Sequence, residues 1–298
     1  MNNQIDIEKT YSRKTVRNLV KADVDVTSDV YKSCVQFIED YLNTKYYDSK
    51  TKRINELKQH TSITVDDIVL ELFASVLPIQ TISPIQSVAA NLGSRLGYIH
   101  LLDNIKTAAE IIAICEPSGL YTIYHSSSDE NDTATLGIKA HYSLSDDVSQ
   151  FINSTMFLPP MLCKPKTWAS KDNVGGGYLL GSGSCILGAL NHHNKQQNLT
   201  HLNTLQSITW ELNKYMLEIP EIANKAFELP EQEKQFEVFK DESKEVYEML
   251  LDSGNKFHFG WKYDKRGRSY STGYHVNLQS TEYKKAILQF SHKEALIC

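Results

Sequence analysis

The sequence predicts a mainly α chain with small β elements, an α+β architecture, and three observations carry that prediction. Apolar residues recur at three- and four-residue spacing across 30–42, 64–77, 85–99, 105–115 and 199–219. A β-rich pair, 120–125 and 135–142, interrupts that period once. A proline- and glycine-rich run, 156–178, fits neither period and reads as extended chain, because proline fixes φ and lacks a donor.

At 298 residues the chain is long enough to bury a substantial core and to hold one large domain or two. A net charge of −5 and a pI near 6.1 exclude a generally basic nucleic-acid coat. Any contact with a polyanion is therefore a local patch. The five cysteines (Cys34, Cys115, Cys163, Cys185, Cys298) show no C-x-x-C spacing, and His192-His193 stand apart from them, so no zinc site is expected. The first residues lack the apolar core of a signal peptide, and no window approaches the ~20 apolar residues that span a bilayer. A soluble protein of a reducing compartment is expected, with the N-x-[ST] triplets at Asn131, Asn153 and Asn198 as chance matches.

Residues 1–60 are polar, and Lys9, Arg13, Lys14, Arg17 and Lys21 read as a solvated face because acids are interleaved. A short amphipathic helix is expected over Val30–Leu42. Thr64–Leu77 places Val65, Ile68, Val69, Leu72 and Val76 on one helical face closed by Pro78. In Ser83-Pro84-Ile85-Gln86 the residue types match an N-cap serine, a proline at the first helical position and a capping-box glutamine. Ile85, Val88, Ala89, Leu92, Leu96 and Ile99 continue as one stripe, with Gly93 and Gly97 allowing close approach of another helix. Ile105–Cys115 repeats the pattern.

Leu120–His125 and Thr135–Tyr142 flank the polar run Ser126–Asp132, a β-hairpin whose tip carries Asp129, Glu130 and Asp132. In the extended run, Trp168 either anchors the chain or offers a ring to a base. Gly175-Gly176-Gly177 is no phosphate loop, since no Gly-Lys-Ser/Thr follows. Leu199–Ile219 reads as one helix, with Leu202, Leu205, Ile208, Leu212, Met216 and Ile219 inward and Pro220 at its end. Glu221–Leu251 is a charged helical segment broken at Pro230.

The chemistry concentrates in Trp261–Phe290. Asp264-Lys265-Arg266-Gly267-Arg268-Ser269-Tyr270 sets two guanidinium forks on either side of a glycine. Such forks suit phosphate oxygens, and the glycine lets another backbone approach. The triplet by itself is equally a solvated turn. Asn277, Gln279 and the Lys284-Lys285 pair follow it.

This stretch resembles the D-x-R-G-R-x-Y…N-P-Q-G…K-G region of the phage and mitochondrial single-subunit RNA polymerases, with Leu278 where the family has proline and Ala286 where it has glycine. Four further segments resemble the family in the same order. They are Gln86–Arg95, the strap Phe157–Trp168 with Gly175–Tyr178, Leu202–Asn213, and Met249–Phe257. The resemblance implies a helical N-terminal domain over 1–155 with a hairpin at about 119–142, a strap and helices over 156–257, and the opening of the catalytic palm over 258–298. By position the hairpin is similar to the one that wedges open the promoter bubble, although its acidic tip repels phosphate.

In that family Arg266, Gly267, Arg268 and Tyr270 would hold template and RNA–DNA hybrid. Lys265, Lys285, Lys164 and Trp168 would stand beside them. The family's catalytic aspartates, which hold two Mg²⁺, would follow Cys298, so this chain is expected to bind no metal and to be inactive alone. The arrangement resembles the split, heterodimeric members of the family carried by some bacteriophages. Expected partners are a second subunit bearing fingers and catalytic palm, the template and hybrid, and an accessory single-stranded-DNA-binding protein, in the cytoplasm of an infected bacterium. Ile287, Leu288, Phe290, Leu296 and Ile297 are the expected partner interface, because apolar residues of an unfinished sheet gain ~1.5–3 kcal/mol each on burial. The competing expectation is a helical nucleic-acid- or protein-binding accessory factor built on the same scaffold.

Overall fold

Helix α1 (Asn2–Thr10) opens the chain, followed by α2 (Arg13–Asp23), α3 (Asp29–Asn43), α4 (Asp48–His60) and α5 (Val65–Val76). This computed structural model describes residues 2–60, 63–78, 82–126, 135–170, 175–182, 184–188 and 196–293. The chain divides into two units, Arg13–Asn153, and Met1–Ser12 with Ser154–Cys298. Both expected early helices form where their caps place them. Ser28 accepts from the Tyr31 N–H (3.2 Å) at the start of α3. Thr64 and Asp67 form a reciprocal capping box at α5, with bonds of 2.9 and 3.1 Å.

The first unit continues with β1 (Ser83–Pro84), α6 (Ile85–Gly93), α7 (Leu101–Cys115), β2 (Tyr121–Ser126), β3 (Thr135–Ala140) and α8 (Asp146–Ser154). The hairpin is present, with β2 and β3 antiparallel from Tyr121↔Ala140 to Ser126↔Thr135. Its tip, including Asp129, Glu130 and Asp132, lies outside the described residues. The expected cap at Ser83 does not form. Ser83 and Pro84 pair with Ile138 and Gly137 as an edge strand, and α6 starts at Ile85 without a side-chain cap. The edge position suits Pro84, which has no N–H to give a ladder.

The stripe expected over 85–99 also stops early. Helix α6 ends at Gly93, Gly97 takes φ +82°, and Ile99 is 84% exposed. Gly93 does what a glycine between helices allows, since a Cβ there would stand 2.8 Å from the Asn104 carbonyl oxygen of α7. Ile68, Leu72, Phe73, Leu92, Ile111, Ile112 and Tyr121 fill this unit's core. Arg17 and Lys21, expected on a solvated face, are instead drawn onto α5. Arg17 is buried, and both ion-pair with Glu71.

The second unit comprises α1, β4 (Gly175–Gly176), β5 (Gly181–Ser182), α9 (Leu199–Ser207), β6 (Trp210–Leu212), α10 (Lys214–Leu217), α11 (Pro230–Asp252), β7 (Gly260–Tyr263), β8 (Ser269–Thr272), α12 (Glu282–Ala286) and β9 (Leu288–Phe290). Leu199–Ile219 is therefore not one helix. Its middle becomes β6, antiparallel to β9 through Trp210↔Phe290 and Leu212↔Leu288, with Trp210 also bridging Phe257. Ile208-Thr209-Trp210 favours extended backbone, and a partner strand from far along the chain satisfies it. The helical segment expected from Glu221 is absent before Pro230, which stands instead at the first turn of α11, where its missing N–H costs nothing. Segments 156–257 and 258–298 share one core of Trp168, Leu202, Trp210, Leu250, Phe257, Phe259, Trp261 and Ile287.

No described helix is long and apolar enough to cross a membrane.

Candidate nucleic-acid interface

The β7–β8 hairpin builds the site. Its register pairs Gly260 with Thr272, Lys262 with Tyr270 and Tyr263 with Ser269. Strand alternation sends Trp261 and Tyr263 into the core and leaves Gly260, Lys262, Tyr270 and Thr272 on the opposite face. The connection from Asp264 to Arg268 is closed by Asp264 N–H to the Arg268 carbonyl (2.8 Å) and Gly267 N–H to the Asp264 carbonyl (3.0 Å). Gly267 has φ +84° with open space where a Cβ would stand. The expected reason for this glycine is thus joined by a second one, because the turn needs left-handed backbone.

Asp264 organises both arginines. One carboxylate oxygen accepts the backbone N–H groups of Arg266 and Arg268, each at 2.9 Å. The other accepts their Nε atoms at 3.1 and 3.0 Å. Burial pushes the Asp264 carboxyl up, but the Arg268 backbone and guanidinium outweigh that and hold it below the usual range. The carboxylate is 16% exposed, whereas the Arg266 and Arg268 side chains are 70% and 54% exposed. Arg268 is thus fixed at the base of its fork, Arg266 also brings Nη2 to 3.0 Å from the oxygen that accepts both Nε atoms, and the rest of both guanidinium groups stands in solvent. Arg268 also lies 5.7 Å from the Tyr270 ring centroid, within cation–π reach. Four cations, Lys262, Lys265, Arg266 and Arg268, face one carboxylate in this stretch. That is the local basic patch an acidic chain needs for a polyanion.

Asn277 and Gln279 turn out to be ties rather than ligands. Gln279 Oε1 accepts from the Ser271 N–H (2.8 Å) and its amide donates to the Ser269 carbonyl (2.9 Å). Asn277 Nδ2 donates to the Gly273 carbonyl (2.7 Å). Together they brace β8 behind the turn.

The lysine pair divides. Lys285 is exposed at the end of α12, but Lys284 is 1% exposed, with its Nζ donating to the Tyr274 carbonyl (3.2 Å) and lying 3.8 Å from the Phe239 ring centroid. Burial pulls its pKa down to about 8, while Glu221 opposes that shift. Beside it, burial and the Lys284 charge pull His275 down to about 4, with Nδ1 3.0 Å from the Ser243 hydroxyl.

Lys265 and Lys164 are exposed. Trp168 is an anchor. It is buried, its Nε1–H donates to Gln206 (3.1 Å), and a Cβ on Gly175 would press its ring at 2.4 Å. Its anchoring role is thus clear, and its ring also contributes to the lining of a cavity beside Gly260 and Thr272. The expected partner interface shrinks. Ile287 is fully buried in the chain's own core and Leu288 is half-buried beside it, leaving Phe290 exposed against Trp210 at 4.5 Å. Leu296 and Ile297 lie outside the described residues.

Two features of this unit escaped the sequence reading. Glu8, on α1, is fully buried and accepts the backbone N–H groups of Tyr178 (2.9 Å), Leu179 and Leu180 (2.8 Å). No local pattern announces a contact about 170 residues away. Lys262 is the second, and the Trp-Lys-Tyr alternation around it was signal enough.

Among the described residues, no group of three or more His, Cys, Asp or Glu side chains is placed to hold a metal ion. No protein-family model matches the chain, and no curated protein resembles it at a significant level.

Proposed function

We propose that this chain is the nucleic-acid-gripping subunit of a DNA-directed RNA polymerase of the phage-type single-subunit family, with the catalytic aspartates on a second chain. The single observation carrying the reading is the turn at 264–268. A carboxylate there spends itself holding two arginines by backbone and Nε, so that both forks stand ordered and solvent-facing. A surface turn has no need of two guanidinium groups held on one carboxylate, while template or hybrid phosphates can use both. Pre-setting them lowers the ordering cost of each phosphate contact.

In this reading Arg266 and Arg268 bind successive phosphates and so fix the strand's register, which phosphate contacts do without reading sequence. Tyr270, braced by Arg268, packs beside the strand, and Lys265 and Lys285 add charge. Two Mg²⁺ held by the second chain supply stabilisation of the attacking and leaving oxygens. The place of action is the cytoplasm of an infected bacterium, with an accessory single-stranded-DNA-binding protein helping to open the duplex.

The test is reconstitution. Tagged chain is recovered from its native cell, and the recovered complex is assayed for Mg²⁺-dependent extension of an RNA on a single-stranded template. The complex should extend RNA and the separated chain should not. A second chain fully active without this one would instead favour an accessory factor.

A further inference from the structure

The face of the β7–β8 hairpin that carries Lys262 and Tyr270 does not end in solvent at its far end. There it meets a cavity of about 370 Å³, within the roughly 300–1,000 Å³ typical of small-ligand sites. Gly260 and Thr272 form one wall, the strap residues Phe157, Leu158 and Pro159 another, and Tyr274 stands at the edge. Phe157 and Tyr274 are stacked, with ring centroids 3.7 Å apart and planes 15° from parallel, and Tyr274 is exposed. Gly260 keeps its wall flat, since a Cβ there would strike the Thr272 hydroxyl at 2.6 Å.

One polar side chain of the lining makes no hydrogen bond or ion pair among the described residues, although Cys185 interacts with its charge. Lys262 is half-buried, and no carboxylate among the described residues forms an ion pair with it. Burial pulls its pKa down, so the ammonium sits in an environment that would be relieved by an anion. Trp261 also contributes to the lining from the core side, with its indole N–H buried beneath the surface.

The hairpin supplies the geometry that selects the occupant. From the cavity the same face runs Gly260, Lys262, Tyr270 and then Arg268 at the turn, about 13 Å of strand at ~3.3 Å per residue. We infer that this cavity receives one base of a single-stranded nucleic acid whose phosphates cross the arginine turn, with Lys262 meeting the phosphate between. A flat aromatic ring fits a slot with stacked rings at its edge. The adjoining phosphate answers the unpaired ammonium. Base stacking beside a cationic track is the general mode of single-strand binding. This inference rests on the polyanion reading of the arginine turn and adds where a base goes.

The test uses the full chain and a short single-stranded DNA in which a fluorescent adenine analogue is moved through successive positions. One position should change its emission on binding. An abasic site there should weaken binding about tenfold, within the range that stacking of one base contributes. Lys262→Gln should lower the salt slope by about 0.7, one single-strand phosphate contact. An RNA of the same sequence runs in parallel, and the strand giving the stronger signal identifies the occupant.

If Arg266→Ala weakens binding while no position responds and Lys262→Gln changes nothing, the cavity inference is overturned and the phosphate reading stands. If Arg266→Ala and Arg268→Ala leave affinity untouched, the phosphate reading fails and this inference fails with it.

Discussion

The two units of this chain treat their cations in opposite ways. In the helical unit, the cations that enter the fold meet carboxylates. Arg17 and Lys21 share Glu71, and Lys50 (3.1 Å) and Arg53 (2.6 Å) share Glu110, which also accepts from the Tyr41 hydroxyl. In the other unit Lys240 and Lys293 also pair with Glu237 and Glu211, but Lys262 and Lys284 are withdrawn from water without an ion pair among the described residues, and the arginines of the turn share one carboxylate while remaining exposed. Paired cations hold helices together, whereas cations left in electrostatic deficit are available to something else. That difference, more than the overall charge of −5, marks where a polyanion would bind.

The largest expected effect tests the structural side of the contrast. Glu71→Ala leaves Arg17 buried with only neutral partners, Asn91 and Ser75, and should cost the helical unit about 3 kcal/mol in chemical unfolding followed by circular dichroism. A loss below ~1 kcal/mol would mean that the clasp is ornamental.

Acid should separate the units next. His275 has a folded pKa near 4 against an ordinary 6.5, so the unfolded chain takes up its proton first as pH falls. The contribution of His275 to the C-terminal unit's stability is therefore full above about pH 6.5 and declines toward pH 4, by on the order of 3 kcal/mol. The helical unit behaves differently. Burial raises Glu71 and Glu110, but their hydrogen-bonded partners outweigh it and lower both below the ordinary 4.5. Their stabilisation is present above that value and lost as pH falls through their folded values. Trp168, Trp210 and Trp261 are the three tryptophans and all lie in the C-terminal unit. Tryptophan fluorescence in mild denaturant should thus report loss at a higher pH than circular dichroism does. Coincident curves would break the contrast.

A smaller effect has the opposite sign. Lys284→Met removes a buried cation that pairs with no carboxylate, and should raise the denaturation midpoint of the C-terminal unit, worth about 1 kcal/mol. Destabilisation would show that its bond to the Tyr274 carbonyl and its seat on the Phe239 ring outweigh the burial of charge. Gly267→Ala is of similar size and destabilising, about 1 kcal/mol, because alanine resists the φ of +84° that the arginine turn needs.

Much of the fold was legible in the sequence because it is local. Capping residues and apolar spacing place α3, α5, α7 and the hairpin β2–β3, and Pro230 starts α11. The errors fall where distant chain overrides a local pattern. Ser83-Pro84 has cap chemistry yet pairs with β3, and Thr209-Trp210 sits in a helical stripe yet pairs with β9. Arg17 looks solvated until Glu71, 54 residues away, is folded onto it.

The site shows the same division. The turn at 264–268 is local, and its arginines stand exposed as the residue types suggested. Ile287 was expected at a partner interface and is buried in its own core, while the spacing left Trp168 open between anchor and base contact and said nothing of Lys284, since which side chains point inward depends on packing that spacing does not encode. Glu8 and its three backbone donors have no sequence signature at all.

The central claim is that Arg266 and Arg268 are held ready for phosphate. Binding of the full chain to a single-stranded oligonucleotide, measured against salt concentration, tests it most directly. The logarithm of the affinity should fall linearly with the logarithm of salt, and replacing both arginines by alanine should flatten the slope by about 1.4, or ~0.7 for each lost contact. Tryptophan fluorescence should show the same unfolding midpoint for both proteins. Equal slopes for the two would contradict the account.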